Sequence, residues 1–344
     1  MKNGSNKRFV AIGRFAFAVF LAVCCGSASA ETLAALFRTQ GFSEAPLQRR
    51  FGNHLFVNAT VNGRRAALMI DSSVATTIIH RDSAGSFGLP IGAPTQHATG
   101  VFGESANIYA QTRLHDLQIG GRVFPDADVT VADEAARVSP PEFLTISKLK
   151  WNAKRKNLSH YVRIEPVDGA IGVDLLRSCG AVVDCGHQLL FMSGDGRSRR
   201  ASERLAAFLA DRGFARIPLR VRRRGGYEVP AAINGNPTRL VLDTGSSFTF
   251  INKDAGVRSG MFIAPERLAY DLGGNHLERI DRGTARQLSI GNFQMSDVDL
   301  NLADISTAVL DGAAGLCGID QLSFNYAVID FGSGTLYLRH PDRR

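Results

Sequence analysis

The feature that most constrains this chain is a long internal repeat. Shifted by 172 positions, LFVNATVNGRRAALMIDSSVATTIIH (residues 55–80) falls without a gap on YEVPAAINGNPTRLVLDTGSSFTFIN (residues 227–252). Further on, LQIGGRVFPDADVTVAD (117–133) matches LSIGNFQMSDVDLNLAD (288–304), and IGVDLL (171–176) matches CGIDQL (317–322). A last block, AVVDCGHQLLFM (181–192), matches AVIDFGSGTLYL (327–338). Matched blocks in one order mean two copies of one structural unit. Within each copy, short runs rich in branched residues are broken by Gly and polar turns, and Asn62-Gly63 and Asn234-Gly235 are hairpin signals. The pattern predicts all-β lobes rather than alternating strands and helices. Each unit reads as hairpin, Asp turn, strand, Gly-containing hairpin, more strands, a short Gly-Xaa-Asp-Xaa-Leu helix and a closing hairpin.

The domain plan follows from the repeat: residues 1–30 a signal peptide, 31–192 the N-terminal lobe, 193–216 a linker, and 217–344 the C-terminal lobe. The first thirty residues hold Lys2, Lys7, Arg8 and Arg14 and no acid, then the apolar run Phe15 to Gly26, then Ala28-Ser29-Ala30. That order is a secretory signal with an A-x-A cleavage site, placing Glu31 at the mature N-terminus in the periplasm or outside the cell. A lipoprotein anchored at Cys24 or Cys25 is the rival, disfavoured because Val23 stands where a small residue is needed. No second apolar stretch is long enough to span a membrane. The whole chain carries 40 basic and 32 acidic residues, and without the signal 36 against 32, a net of +4 that does not suggest nucleic-acid binding. Cys179 and Cys185 flank the strand-like GAVVD, whose extended length of roughly 17–20 Å is too great for a disulfide. Both, with Cys317, are expected to be buried and free.

The linker holds a helix expected to be capped by Ser202, apolar at Leu205, Phe208 and Leu209, and ended by Gly213. Copy one also carries about 25 extra residues near Glu134 to His160, including the basic KLKWNAKRKN. A solvated loop and a site for an acidic partner both fit that insertion.

Asp71 and Asp243 occupy the same turn of the two copies. Related lobes that pack about a pseudo-twofold axis bring equivalent positions together at the axis. Two carboxyls in contact cannot both ionise readily, so the pair holds one shared proton. The ionised member can take a proton from water while the protonated member polarises a substrate carbonyl. The product of that chemistry is amide hydrolysis with neither metal nor cofactor.

Asp243-Thr244-Gly245-Ser246 in its apolar frame, with AAGLCGIDQL downstream and a full second copy, resembles the pepsin and retropepsin clan of aspartic peptidases, as a fused bacterial tandem. The resemblance covers roughly 51–133, 161–192 and 217–340. It implies two retropepsin-like β-barrel lobes with a cleft between them, Asp71 and Asp243 catalytic, and a monomer acting on peptide or protein substrates. It implies that Ser72 and Thr244 lock the turns together, that Gly245 allows close approach, and that Ser246 donates to the outer oxygen of Asp243. Gly172 and Gly318 would support the turns from below. Flaps are implied at Thr99 to Glu104, including Gly100 and Val101, and at Asp271 to His276, including Gly273 and Gly274.

Copy one departs from the pattern with Asp71-Ser72-Ser73-Val74. Ser73 adds a side chain where the turns crowd, which leaves an asymmetric active dyad and a degenerate lobe as alternatives. The rival function is a catalytically inactive protein that binds an extended peptide or cell-envelope partner. Processing at Gln48 to Phe51 is a further alternative to simple surface charge there. Asp184 and Asp330 read as turn residues, and Asp174 and Asp320 as caps of the short helices. No H-x-x-x-H spacing, G-x-S-x-G turn or phosphate loop is present.

Overall fold

The computed structural model describes residues 32–50, 53–101, 105–133, 144–145, 167–194, 199–271 and 277–341. The signal segment, most of the basic insertion, Phe51, and flap residues 102–104 and 272–276, with Gly273 and Gly274, lie outside the described residues.

In the N-terminal half, β1 (Ser43–Arg50), β2 (His54–Val61), β3 (Arg64–Ile70) and β4 (Ile78–His80) lead to a hairpin of β5 (Gln96–Thr99) and β6 (Ser105–Leu114). β7 (Leu117–Ile119), β8 (Arg122–Phe124), β9 (Ala127–Ala132), β10 (Leu144–Thr145), β11 (Gly169–Ile171), β12 (Val182–Asp184) and β13 (Leu189–Met192) complete it. The C-terminal half opens with β14 (Ala215–Pro218), β15 (Arg220–Val221), β16 (Tyr227–Ile233), β17 (Asn236–Leu242) and β18 (Phe250–Asn252). It continues through β19 (Phe262–Asp271), β20 (Leu277–Ile290), β21 (Phe293–Ala303), β22 (Gly315–Cys317), β23 (Val328–Asp330) and β24 (Thr335–Leu338). The fold is mostly β and two-lobed.

The pairings repeat as the sequence does. β2 and β3 form a hairpin whose turn residues Asn62 and Gly63 both have positive φ, as do Asn234 and Gly235 between β16 and β17. β11 inserts between β3, to which it is parallel, and β4, to which it is antiparallel. β22 does the same between β17 and β18. The inserted strands β11 and β22 are buried at every position, and Leu68, Ile70, Ile79, Leu240 and Leu242 of their neighbours have no exposed surface. Burial on both faces explains why they read as continuous apolar runs.

The halves share one sheet, in the order β14-β24-β23-β12-β13-β1. At its centre β12 lies antiparallel to β23, with Val183 opposite Ile329. These two residues are equivalent in the repeat, so the pseudo-twofold axis passes between them. The bonds flanking this centre are equivalent too, Cys185 N to Ala327 O at 2.8 Å and Phe331 N to Ala181 O at 2.9 Å. Helices Leu33–Arg38 and Arg199–Ala210 close the sheet, packing Leu36, Phe37, Leu205 and Leu209 on Val182, Phe191, Val328 and Tyr337.

The second of these helices begins three residues before Ser202, so Ser202 lies inside it and is not its cap. Its end is as expected: Gly213 adopts φ +75 and the chain turns back. Cys179, Cys185 and Cys317 are buried and free. Among the described residues no helix is long and apolar enough to cross a membrane.

Candidate active site

β3 and β17 each end on an aspartate. Each aspartate's N–H donates to the end of the parallel inserted strand, Asp71 to Ile171 O at 3.1 Å and Asp243 to Cys317 O at 3.0 Å. Beyond that point the ladder stops and the chain turns. In each turn the third residue's N–H donates to its own aspartate, Ser73 N to Asp71 Oδ1 at 2.8 Å and Gly245 N to Asp243 Oδ1 at 3.0 Å.

Four hydrogen bonds join the turns across the axis. Ser72 N donates to Thr244 Oγ1 at 2.9 Å, and Thr244 N to Ser72 Oγ at 3.0 Å. The hydroxyls then donate onward into the opposite lobe, Ser72 Oγ to Leu242 O at 2.9 Å and Thr244 Oγ1 to Ile70 O at 2.8 Å. Ser72 and Thr244 are completely buried, so every polar atom in this exchange depends on its partner in the other lobe. The carboxyls are brought together as a result. A Cβ on Gly245 would stand 2.5 Å from Asp71 Cγ and Oδ2, so only glycine lets this turn lie against that carboxyl.

Asp71 is 7% and Asp243 3% exposed. Burial raises both above the ordinary carboxylate range, and the neighbouring Asp71 charge adds to the rise of Asp243, which reaches about 8. Hydrogen bonds from the turns oppose the rise in each case. A buried pair of this kind holds a proton at neutral pH.

A clasp supports each turn from below. A Cβ on Gly172 would meet Thr76 C at 2.5 Å, and one on Gly318 would meet Phe248 C and O at 2.3 Å. Above the two glycines lie Thr77 and Thr249. Thr77 Oγ1 donates to Asp174 Oδ1 at 2.8 Å and accepts from Gly172 N at 3.2 Å. Thr249 Oγ1 donates to Asp320 Oδ1 at 2.7 Å and accepts from Gly318 N at 3.0 Å. Asp174 and Asp320 therefore do more than serve their helices: they tie the return of each Asp loop to the helix start. Sequence reading missed Thr77 and Thr249 because a threonine before an apolar strand reads as part of the strand.

Residues 229–320 match a family model described as aspartyl protease, and residues 57–139 match one described as gag-polyprotein aspartyl protease. Both lobes are aspartyl-protease-like. Among solved structures, the chain is similar to the aspartic proteinase from Irpex lacteus, with 14% identity and a TM-score of 0.49 over 88% of this chain and 98% of that one. Basic 7S globulin from soybean matches with 10% identity and a TM-score of 0.45, over 87% of this chain and 94% of its own. A retropepsin-like aspartic protease from Rickettsia conorii matches with 18% identity and a TM-score of 0.29, over 44% of this chain and 90% of its own. No curated protein matches the chain.

In this aspartyl-protease-like frame, one expectation needs correction. Ser246 Oγ donates to Phe248 O at 2.8 Å and not to Asp243; its backbone N–H instead donates to the Asp243 carbonyl at 3.3 Å. The Ser73 hydroxyl donates to Asp71 Oδ1 at 2.7 Å. Asp184 and Asp330 lie away from the dyad, on the central strands. They accept bonds from the following turns, from His187 N at 2.9 Å and Ser333 N at 3.1 Å.

Thr99 ends β5 and pairs with Ser105 of β6, while Asp271 of β19 pairs with Leu277 of β20, so both expected flaps are hairpin ends. Gly100 follows Thr99, and Val101 reaches the other lobe: its carbonyl accepts from Ser306 N at 2.9 Å, and its side chain packs against the Val241, Phe250 and Leu310 cluster. A second crossing involves His54 at the start of β2, whose Nε2 is 2.8 Å from Ser247 Oγ in the loop after Asp243. Burial pushes His54 down to about 4, and its Nδ1 is buried without a partner. Repeat comparison could not find His54, because its equivalent is Gly226. Among the described residues no group of three His, Cys, Asp or Glu side chains could hold a metal ion.

Proposed function

We propose that this protein is an exported aspartic endopeptidase in which Asp71 and Asp243 activate one water for attack on a peptide bond. The observation that supports the reading is the reciprocal Ser72–Thr244 exchange, which ties together the two turns that carry the buried Asp71 and Asp243. One carboxyl of the pair takes a proton from water as the base. The other donates its proton to the carbonyl oxygen as the tetrahedral intermediate forms. Hydrogen-bonded clasps keep both turns rigid, so little reorganisation is needed at the reacting atoms. Export rests on the basic start, apolar core and A-x-A site of residues 1–30.

Digestion of a broad peptide library from pH 3 to pH 8 by wild type, Asp71→Asn and Asp243→Asn tests this reading. Wild type is expected to cleave at acid to mildly acid pH, to resist chelators, and to lose activity in either variant. A second reading, a peptide-binding protein without catalysis, is favoured by one observation: both carboxyls are over nine-tenths buried while Val101 bonds across to Ser306. Retention of library peptides without cleavage at any pH would select it. N-terminal sequencing of the exported form is expected to begin at Glu31; a lipid-modified cysteine there would overturn the localisation.

A further inference from the structure

The third position of the Asp turn is where the lobes differ chemically. In lobe two, Gly245 presents only a backbone N–H to its aspartate. In lobe one, Ser73 presents its N–H at 2.8 Å and its hydroxyl at 2.7 Å, both to Asp71 Oδ1. The third position also faces the opposite carboxyl, since a Cβ on Gly245 would be 2.5 Å from Asp71. By the same symmetry the Ser73 side chain lies toward Asp243, but its hydrogen bonds go to Asp71.

A hydroxyl has one proton. That proton goes to Asp71 Oδ1, so Asp71 receives two donors from its third residue where Asp243 receives one. Hydrogen bonds to a carboxylate favour its ionised form, so the extra donor favours Asp71 as the anion and leaves the dyad proton on Asp243. We infer that Ser73 is a positioning residue that orders the dyad, making Asp71 the base and Asp243 the acid. The ordering acts through the Ser73 hydroxyl and N–H on the Asp71 carboxylate, and no covalent bond forms or breaks in it. This assignment rests on the dyad reading above and extends it.

The surroundings of the pair bear on the assignment. Arg222 is close enough to feel the Asp243 charge, which by itself favours an anion there. Its guanidinium, however, donates to the Val309 carbonyl and is influenced by Asp311 and Glu228 ahead of Asp243. Cys317, beneath Asp243, has its thiol pushed up by burial and is neutral.

The test is carboxyl-carbon NMR of protein labelled at aspartate Cγ, titrated from pH 2 to pH 10, with Asp71→Asn and Asp243→Asn used to assign the signals. It needs no turnover. In wild type the first proton lost from the pair is expected to come from Asp71. In Ser73→Gly, which copies the residue of lobe two and so suits the turn, the lower step is expected to rise by about one pH unit as a charge-assisted bond is lost. Ser73→Ala should rise similarly, and Ser73→Thr, which keeps the hydroxyl, should restore the wild-type order. If Asp243 loses its proton first, or Ser73→Gly superposes on wild type, the assignment is overturned while the dyad stands. Two carboxyls that titrate independently near the ordinary range would overturn the dyad itself.

Discussion

The two Asp turns are alike in backbone and unlike in side chains. Asp243-Thr244-Gly245 and Asp71-Ser72-Ser73 each receive the same bonds from an inserted strand, from their own third residue and from the opposite lobe. Ser72 does for lobe one what Thr244 does for lobe two, so the hydroxyl matters and the methyl does not. At the third position the lobes part company, because Gly245 leaves room beside Asp71 while Ser73 fills room beside its own carboxylate. Shared backbone geometry with one altered side chain is how a pseudo-symmetric pair can acquire separate acid and base roles.

The supports beneath the turns should be equally critical in both lobes. Gly318→Ala places a methyl 2.3 Å from the Phe248 backbone, and Gly172→Ala places one 2.5 Å from that of Thr76. Neither neighbour is a flexible side chain, so each variant is expected to lose about 3 kcal/mol, read by urea unfolding. A large loss in one lobe only would break the symmetry.

His54 should break it by design, because lobe two has glycine at the equivalent position. Its folded pKa of about 4 lies below the ordinary value of 6.5. Above pH 6.5 the neutral ring costs nothing by this route. As pH falls toward 4 the unfolded chain takes up the proton first and stability drains away. Relative to His54→Gln, wild type should lose roughly 2–3 kcal/mol between pH 7 and pH 4. A constant difference between the two proteins over that window would remove His54 from the account.

Ser72→Ala and Thr244→Ala each delete a hydroxyl that donates to one carbonyl and accepts one N–H of the other lobe. Each should cost about 2 kcal/mol, with the two nearly equal, by thermal unfolding at pH 6. A further prediction concerns charge. Asp243 has its folded pKa raised, so its contribution is complete below the unfolded pKa of about 3.9 and is lost as pH rises through the folded value. Asp243→Asn should therefore gain stability relative to wild type as pH rises from 4 to 8, read by thermal unfolding at the two pH values.

Much of this was legible in the repeat. Asn62-Gly63 and Asn234-Gly235 announce their hairpins, and Gly172 and Gly318 stand where an added methyl would strike backbone. The alignment of Asp71 with Asp243 is a statement about space only because equivalent positions meet at an axis. What stayed hidden depended on contacts across that axis or between distant loops. AVVD and AVID were visible as twins, but their mutual pairing where the two halves meet in one sheet follows from lobe packing. Thr77 and Thr249 look like ordinary strand residues until Asp174 and Asp320 are brought beneath them. The direction of Ser246 Oγ is set within its own turn, where it donates to Phe248 O two residues on.

The most direct test of the central claim is peptide hydrolysis by wild type, Asp71→Asn and Asp243→Asn, measured on one cleaved library sequence at its best pH. Wild type should turn over, and each variant should fall by on the order of 10³-fold, because a shared proton cannot survive the loss of either carboxyl. Asp71→Asn retaining wild-type turnover while Asp243→Asn is dead would contradict the account: lobe one would then be scaffold, and the joining of the two turns would serve the fold rather than the chemistry.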